Sequence, residues 1–258
     1  MKMFSITPMK TLFTYPFQDP KAGNKLLIGS LLIFANFIIP IIPAIIIVGY
    51  AARIARNVID GDGELALPEW DNWGDFFVEG FKMSAVILIY SIPALLIFMV
   101  GTGSYFLSLF AMIAQTSGGN EPGIVIIFYF FGLLLMIASI ALGILLLFLE
   151  GLVTPPALMH MIHKKRFAAA FAIIEWWRIF RDNLAGFLFV FIVAVGFTQI
   201  LTVVVYLAYY TVILCIIVPF IASFFGFYTT LVTFPLFAQA YKEGLPENIE
   251  EKELLAED

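Results

Sequence analysis

Residues 124–150 read IVIIFYFFGLLLMIASIALGILLLFLE, twenty-six uncharged positions closed by Glu150. A bilayer's hydrocarbon core is about 30 Å thick, and roughly 20 helical residues cross it. Inside it the backbone must satisfy its own hydrogen bonds, so a run of this kind is an α-helix. Three further runs, about 83–104, 184–207 and 212–234, have the same character and complete four full spans. The weakest boundary is near Tyr209, where Tyr206, Tyr209 and Tyr210 suit an aromatic belt but no Gly, Pro or Asn marks a turn.

The composition agrees. Of 258 residues, 62% are hydrophobic and 13% charged, about half the charged share of a soluble domain. Mean hydropathy is +0.99. These values exclude a soluble globular enzyme and a disordered chain. One cysteine, Cys215, excludes a disulfide scaffold. With 14 basic against 19 acidic residues, there is no positive field to hold nucleic acid. The first apolar run starts at Leu26 and is too long for a signal peptide, so the spans themselves are expected to direct insertion.

The expected fold is all-α, a polytopic transmembrane helical bundle. An N-terminal arm (1–25) precedes a single transmembrane domain (26–240), and a charged tail (241–258) follows. Within residues 26–52, Pro40 and Pro43 interrupt the helical ladder. Each half is then about 13 residues, or roughly 20 Å, too short to cross alone. The run is either one Pro-broken span or a re-entrant hairpin. Basic residues decide between them. Four lie in the arm, three in the 53–82 loop, five in 151–183 and two in the tail. A hairpin places them all on one side, and short basic loops prefer the cytoplasm. The hairpin is therefore expected, in a multi-pass protein of the cell membrane with both termini cytoplasmic.

Two amphipathic segments are expected to lie in the interface plane. In residues 67–82 a helix starting at Pro68 would put Trp70, Trp73, Phe77 and Phe81 on one face, and Asp71, Asp75 and Glu79 on the other. Trp70, Asp71, Trp73, Asp75 and Glu79 are thus a candidate docking face for a basic protein partner, if they do more than floor the bundle. The second segment, 167–182, clusters Glu175, Arg178, Arg181 and Asp182, with Trp176 and Trp177 suited to the headgroup zone. Before it, Lys164, Lys165 and Arg166 are candidate contacts to lipid headgroups.

No catalytic, cofactor or metal set emerges. Asp60–Glu64 lacks the glycine and distal Glu of a calcium loop. His160 and His163 make half a zinc site at best. The four spans hold no Asp, Glu, Lys, Arg or His apart from Glu150 at their edge, which argues against a proton-coupled carrier and an intramembrane protease. Asn36, Gln199 and Thr202 are expected to make interhelical hydrogen bonds.

Several pieces together resemble an uncharacterised membrane family, domain of unknown function four-zero-one-three. They are Tyr15-Pro16, Lys25 with Ile28-Gly29, the Pro40/Pro43 break, Gly49-Tyr50, and Leu67-Pro68-Glu69-Trp70-Asp71 through Trp73-Gly74-Asp75 to Gly80 and Lys82. The resemblance implies a polytopic protein of an archaeal or bacterial membrane and supplies no catalytic residues. Three functions remain open: a non-enzymatic membrane component organising partners or lipids, a transporter or channel subunit, and a lipid-active enzyme using acids such as Asp71 and Asp75.

Overall fold

A computed structural model describes residues 8–61, 65–119, 123–210 and 217–246. Asp62–Glu64, Asn120–Pro122, the segment with Cys215 at the start of the last expected span, and the tail beyond Pro246 lie outside them. The described residues are helical, with no strand among them. Eight α-helices follow in order: α1 Met9–Thr14, α2 Ala22–Ala35, α3 Ile42–Asp60, α4 Trp73–Ser117, α5 Val125–Lys164, α6 Ile173–Asp182, α7 Leu184–Tyr209 and α8 Val218–Glu243. Five of them (α3, α4, α5, α7 and α8) are long and apolar enough to cross a membrane. The chain is a multi-pass helical membrane protein.

The described residues fall into two compact units. One takes in those up to Val86 and from Pro155 onward; the other is Ile87–Thr154.

In the first unit the N-terminal apolar run is broken into α2 and α3. Its break is Asn36–Ile41. The Asn36 amide donates to the Leu32 carbonyl at 3.2 Å and accepts the Ala44 N–H at 3.1 Å, so one side chain closes α2 and opens α3. Ile41 has φ +78°, a left-handed conformation that a β-branched residue rarely adopts. Pro43 stands in the first turn of α3, where its missing N–H costs nothing. The halves are unequal, however. The second runs 19 residues to Asp60, about 28 Å, because nothing in Arg53–Asn57 breaks a helix.

The arm packs into the first unit: Leu12 and Tyr15 are buried, and the Tyr15 hydroxyl donates to the Leu231 carbonyl at 2.8 Å. Residues 65–72 form no helix, so the interfacial helix expected from Pro68 begins at Trp73 and runs on as α4 through Pro93 without a break. Beyond Glu150, α5 continues through Pro155 and Pro156 to Lys164. Neighbouring packing groups can support a proline inside a long helix. The second amphipathic helix is present as α6.

The second unit pairs α4 and α5 through small residues. A Cβ on Gly101 would meet the Ser139 side chain, one on Gly132 would meet Ser108, and one on Gly143 would meet Phe98. Such contacts let apolar helices approach where lipid offers no hydrophobic drive to association. The outer faces, with Met99, Leu107, Phe110 and Ile127 well exposed, are suited to lipid.

Candidate interfacial site

Residues 65–72 cross the first unit as an extended strap, held by side chains from α2 and α3. Lys25 is buried in the first turn of α2. Its Nζ donates to Asp19 Oδ2 at 2.8 Å and to the Leu67 carbonyl at 2.7 Å, with Glu69 Oε1 at 3.2 Å. The Trp70 indole donates to the Lys25 carbonyl at 3.2 Å. From α3, the Tyr50 hydroxyl donates to the Pro68 carbonyl at 2.9 Å. The Tyr50 ring stacks on Trp70 at 4.0 Å, and Trp70 on Trp73 at 5.2 Å. These tertiary bonds, with the bias of a residue before proline against helix, explain why the strap stays extended.

Burial pushes the Asp19 carboxyl up, but the Lys25 hydrogen bond and charge and the Lys21 N–H outweigh it and hold it below the usual carboxylate range. Burial likewise pulls the Lys25 ammonium down, and Asp19 and Glu69 more than restore it, leaving it raised. The sign follows. A depressed acid stabilises the fold above its unfolded pKa, about 4, and that contribution is lost as pH falls through the folded value. The raised lysine matters only at strongly alkaline pH. The thermal unfolding midpoint in detergent should therefore drop as pH falls below about 4, and Asp19→Asn should flatten that dependence. A variant with an unchanged acid profile would refute the assignment to Asp19.

At another place in the same unit, α3, α5, α6 and α8 are tied by polar side chains. His160 is buried. Its Nδ1 lies 2.7 Å from the Tyr241 hydroxyl and its Nε2 3.1 Å from Glu175 Oε2. A carboxylate only accepts, so Nε2–H donates to Glu175, and Nδ1 of the neutral ring accepts from Tyr241. His163 Nδ1 is 3.3 Å from Asp60 Oδ1. The Lys242 ammonium donates to the Gly61 and Val58 carbonyls at 2.5 and 3.1 Å. The Asn183 amide donates to the Ala240 carbonyl at 2.8 Å. The histidines thus serve as helix ties, each with its own carboxylate.

The expected docking face is only partly assembled. Asp71 and Asp75 are exposed. Trp70 is engaged in the strap, off any helix, and Trp73 is the first residue of α4. Glu79 pairs with Arg56 of α3, so it is withdrawn from the acidic face. On α6, Arg178 and Asp182 form an i,i+4 pair, at 3.9 Å, while Glu175 turns to His160. Trp176 is buried and donates to the Ala170 carbonyl; only Trp177 is exposed as a headgroup-zone ring would be. Asn36 makes its expected bridge, whereas Thr202 donates to Thr198 within its own helix.

Among the basic candidates, Lys164 and Arg166 are exposed, and Lys165, at φ +53°, ends α5 and reaches Asp60 Oδ2 at 3.5 Å. Lys165 and Arg166 line a cavity of about 200 Å³ together with Arg56, Glu79 and Lys82, above an apolar floor that includes Met161 and Ile162. Reading the sequence missed Arg56 and Lys82 here, since residues on separate helices carry no mutual spacing signal. It also missed Lys25, whose visible signal was a base one position before an apolar run. A second cavity, of about 370 Å³, lies between α2 and α8 and is lined by apolar side chains with Ser30 and Ser223.

A family model described as "Protein of unknown function (DUF4013)" matches residues 32–210. No curated protein and no solved structure matches the chain.

Proposed function

We propose that this chain, which belongs to the DUF4013 family of proteins of unknown function, is a non-enzymatic component of the cell membrane that organises lipids. One observation carries the reading. Three buried polar side chains of the first unit, Lys25, His160 and Asn183, each tie one segment of it to another. The uncommitted cations, Lys82, Lys164 and Arg166, stand exposed among exposed aromatic rings such as Phe81 and Trp177. Cations and amphipathic rings together are the chemistry of the headgroup zone. In this reading that layer faces the cytoplasm and carries both termini.

The test is reconstitution of the full chain into vesicles of phosphatidylethanolamine and phosphatidylglycerol loaded with small solutes. The expected result is retention of phosphatidylglycerol through detergent extraction, with solute leakage no faster than from empty vesicles. Tags at the N-terminus and in the 53–82 loop should be reached from the same face. Protein-dependent solute flux, or retained lipid in the bulk ratio, would overturn the reading.

A transporter or channel subunit has one observation in its favour. Glu150 on α5 accepts from the Ser91 hydroxyl of α4 at 2.5 Å, and its second oxygen and the Thr154 hydroxyl are buried without a partner. Acids within lipid-facing helices often mark ion paths. Flux abolished by Glu150→Gln would establish that reading instead.

A further inference from the structure

We infer that the cavity lined by Arg56, Lys82, Lys165 and Arg166 binds a phosphate group, and that the source is the headgroup of an anionic phospholipid. The inference deepens the lipid reading above and rests on it for the source of the phosphate, though not for the anion chemistry.

Four cations meet here with one lining carboxylate, Glu79, in a chain whose net charge is −5. The concentration of positive charge is therefore local rather than a by-product of a basic protein. Part of it is already balanced: Arg56 pairs with Glu79 and Lys165 with Asp60. Lys82 and Arg166 have no carboxylate within 4.0 Å among the described residues. The Arg56 Nε is buried with no acceptor, a donor left unsatisfied at a cost unless something accepts from it. Like charges held together in a recess repel one another, and an anion between them reverses the sign of that energy. Guanidinium groups match the oxygen spacing of phosphate and ammonium groups supply point charge, and this cavity offers two of each. Its volume holds several waters or one phosphate group.

The position favours a lipid over a soluble ion. Lys82 is the last charge before Met83–Ser117, 35 consecutive uncharged residues of α4. It therefore stands where that helix passes from polar surroundings into apolar ones. Basic recesses between helices at that level are suited to phospholipid headgroups.

The test uses the full chain in nanodiscs, with Lys82→Gln and Arg166→Gln combined. Both residues are exposed, so the unfolding midpoint should not move. In phosphatidylcholine discs doped with phosphatidylglycerol, native mass spectrometry should show wild-type protein keeping bound phosphatidylglycerol. Each cation near an anionic surface changes affinity roughly fivefold, so the double variant should bind roughly 30-fold more weakly. Lys10→Gln, exposed and outside the lining, should bind as wild type does. Equal binding by the double variant would overturn the inference. So would an equal loss in Lys10→Gln, which would mean diffuse surface charge. A third arm titrates inorganic phosphate into phosphatidylcholine discs. Phosphate binding lost in the double variant, with no retention of phosphatidylglycerol by wild type, would uphold the phosphate site and overturn the lipid source together with the lipid-organising reading.

Discussion

Replacing Lys25 with methionine should destabilise the protein by about 3–5 kcal/mol, the range for stripping one partner from a buried ion pair. The ammonium is nearly inaccessible and so is Asp19, its partner at 2.8 Å. Methionine fills much of the same volume, so the loss is electrostatic. Asp19 is left charged without its cation, and the Leu67 carbonyl is left without a donor. Glu69, about half exposed, adds little, because solvent screens exposed pairs. Since the same ammonium holds the strap, its loss should also release Trp70 from Tyr50. Thermal unfolding in detergent measures the first effect and tryptophan fluorescence the second. Adding Asp19→Leu should recover part of the loss by removing the stranded charge. A methionine variant with a wild-type midpoint would show that the pair contributes nothing.

Gly49→Val and Gly80→Val should each prevent accumulation of folded protein. A Cβ at Gly49 would sit 1.8 Å from the Phe76 carbonyl oxygen, and one at Gly80 would sit 1.8 Å from that of Ile45. Both obstacles are backbone atoms, which cannot swing aside as a side-chain tip can. Here α3 and α4 cross with their main chains in contact, and any side chain forces them apart. Overpacking of well-packed sites commonly costs about 1–3 kcal/mol, and a rigid obstacle places these at or above the top of that range. Gly74→Ala and Gly103→Ala are the controls. Both lie in α4 with open space around the added methyl, and alanine there should be neutral or stabilising by up to about 1 kcal/mol. Monodispersity on size exclusion and the unfolding midpoint separate the cases. A valine variant that elutes and melts as wild type does would refute the close crossing.

The spans were legible because lipid imposes one requirement that composition alone reveals. The break in residues 26–52 was legible too, since Pro40 stands in it and Pro43 in the first turn after it. The strap was not. Residues from Pro68 carry a helical pattern, but tertiary bonds from Lys25 and Tyr50 override it until Trp73. Nor was the continuation of α5 past Glu150, since the uncharged run that marks the span ends there. The pairing of Glu79 was hidden for a related reason: its partner Arg56 lies 23 positions earlier, on another helix, and no local periodicity announces it. The basic triplet at 164–166 was visible, but the cavity it helps to line needed Arg56 and Lys82 from elsewhere. The residues behind the family resemblance, Tyr15, Lys25, Gly49-Tyr50 and the strap, contribute to the packing and ties of the first unit, which no single stretch discloses.

The division into two units bears on the order of assembly during synthesis. Ile87–Thr154 is one continuous stretch of chain, so the contacts between its two helices can form as soon as it leaves the ribosome. The other unit joins the two extremities of the chain, as in the bond from Tyr15 to Leu231 across 216 positions. The contacts of its early helices with α8 must therefore wait for nearly the whole polypeptide to be translated, and truncation near the C-terminus would remove them.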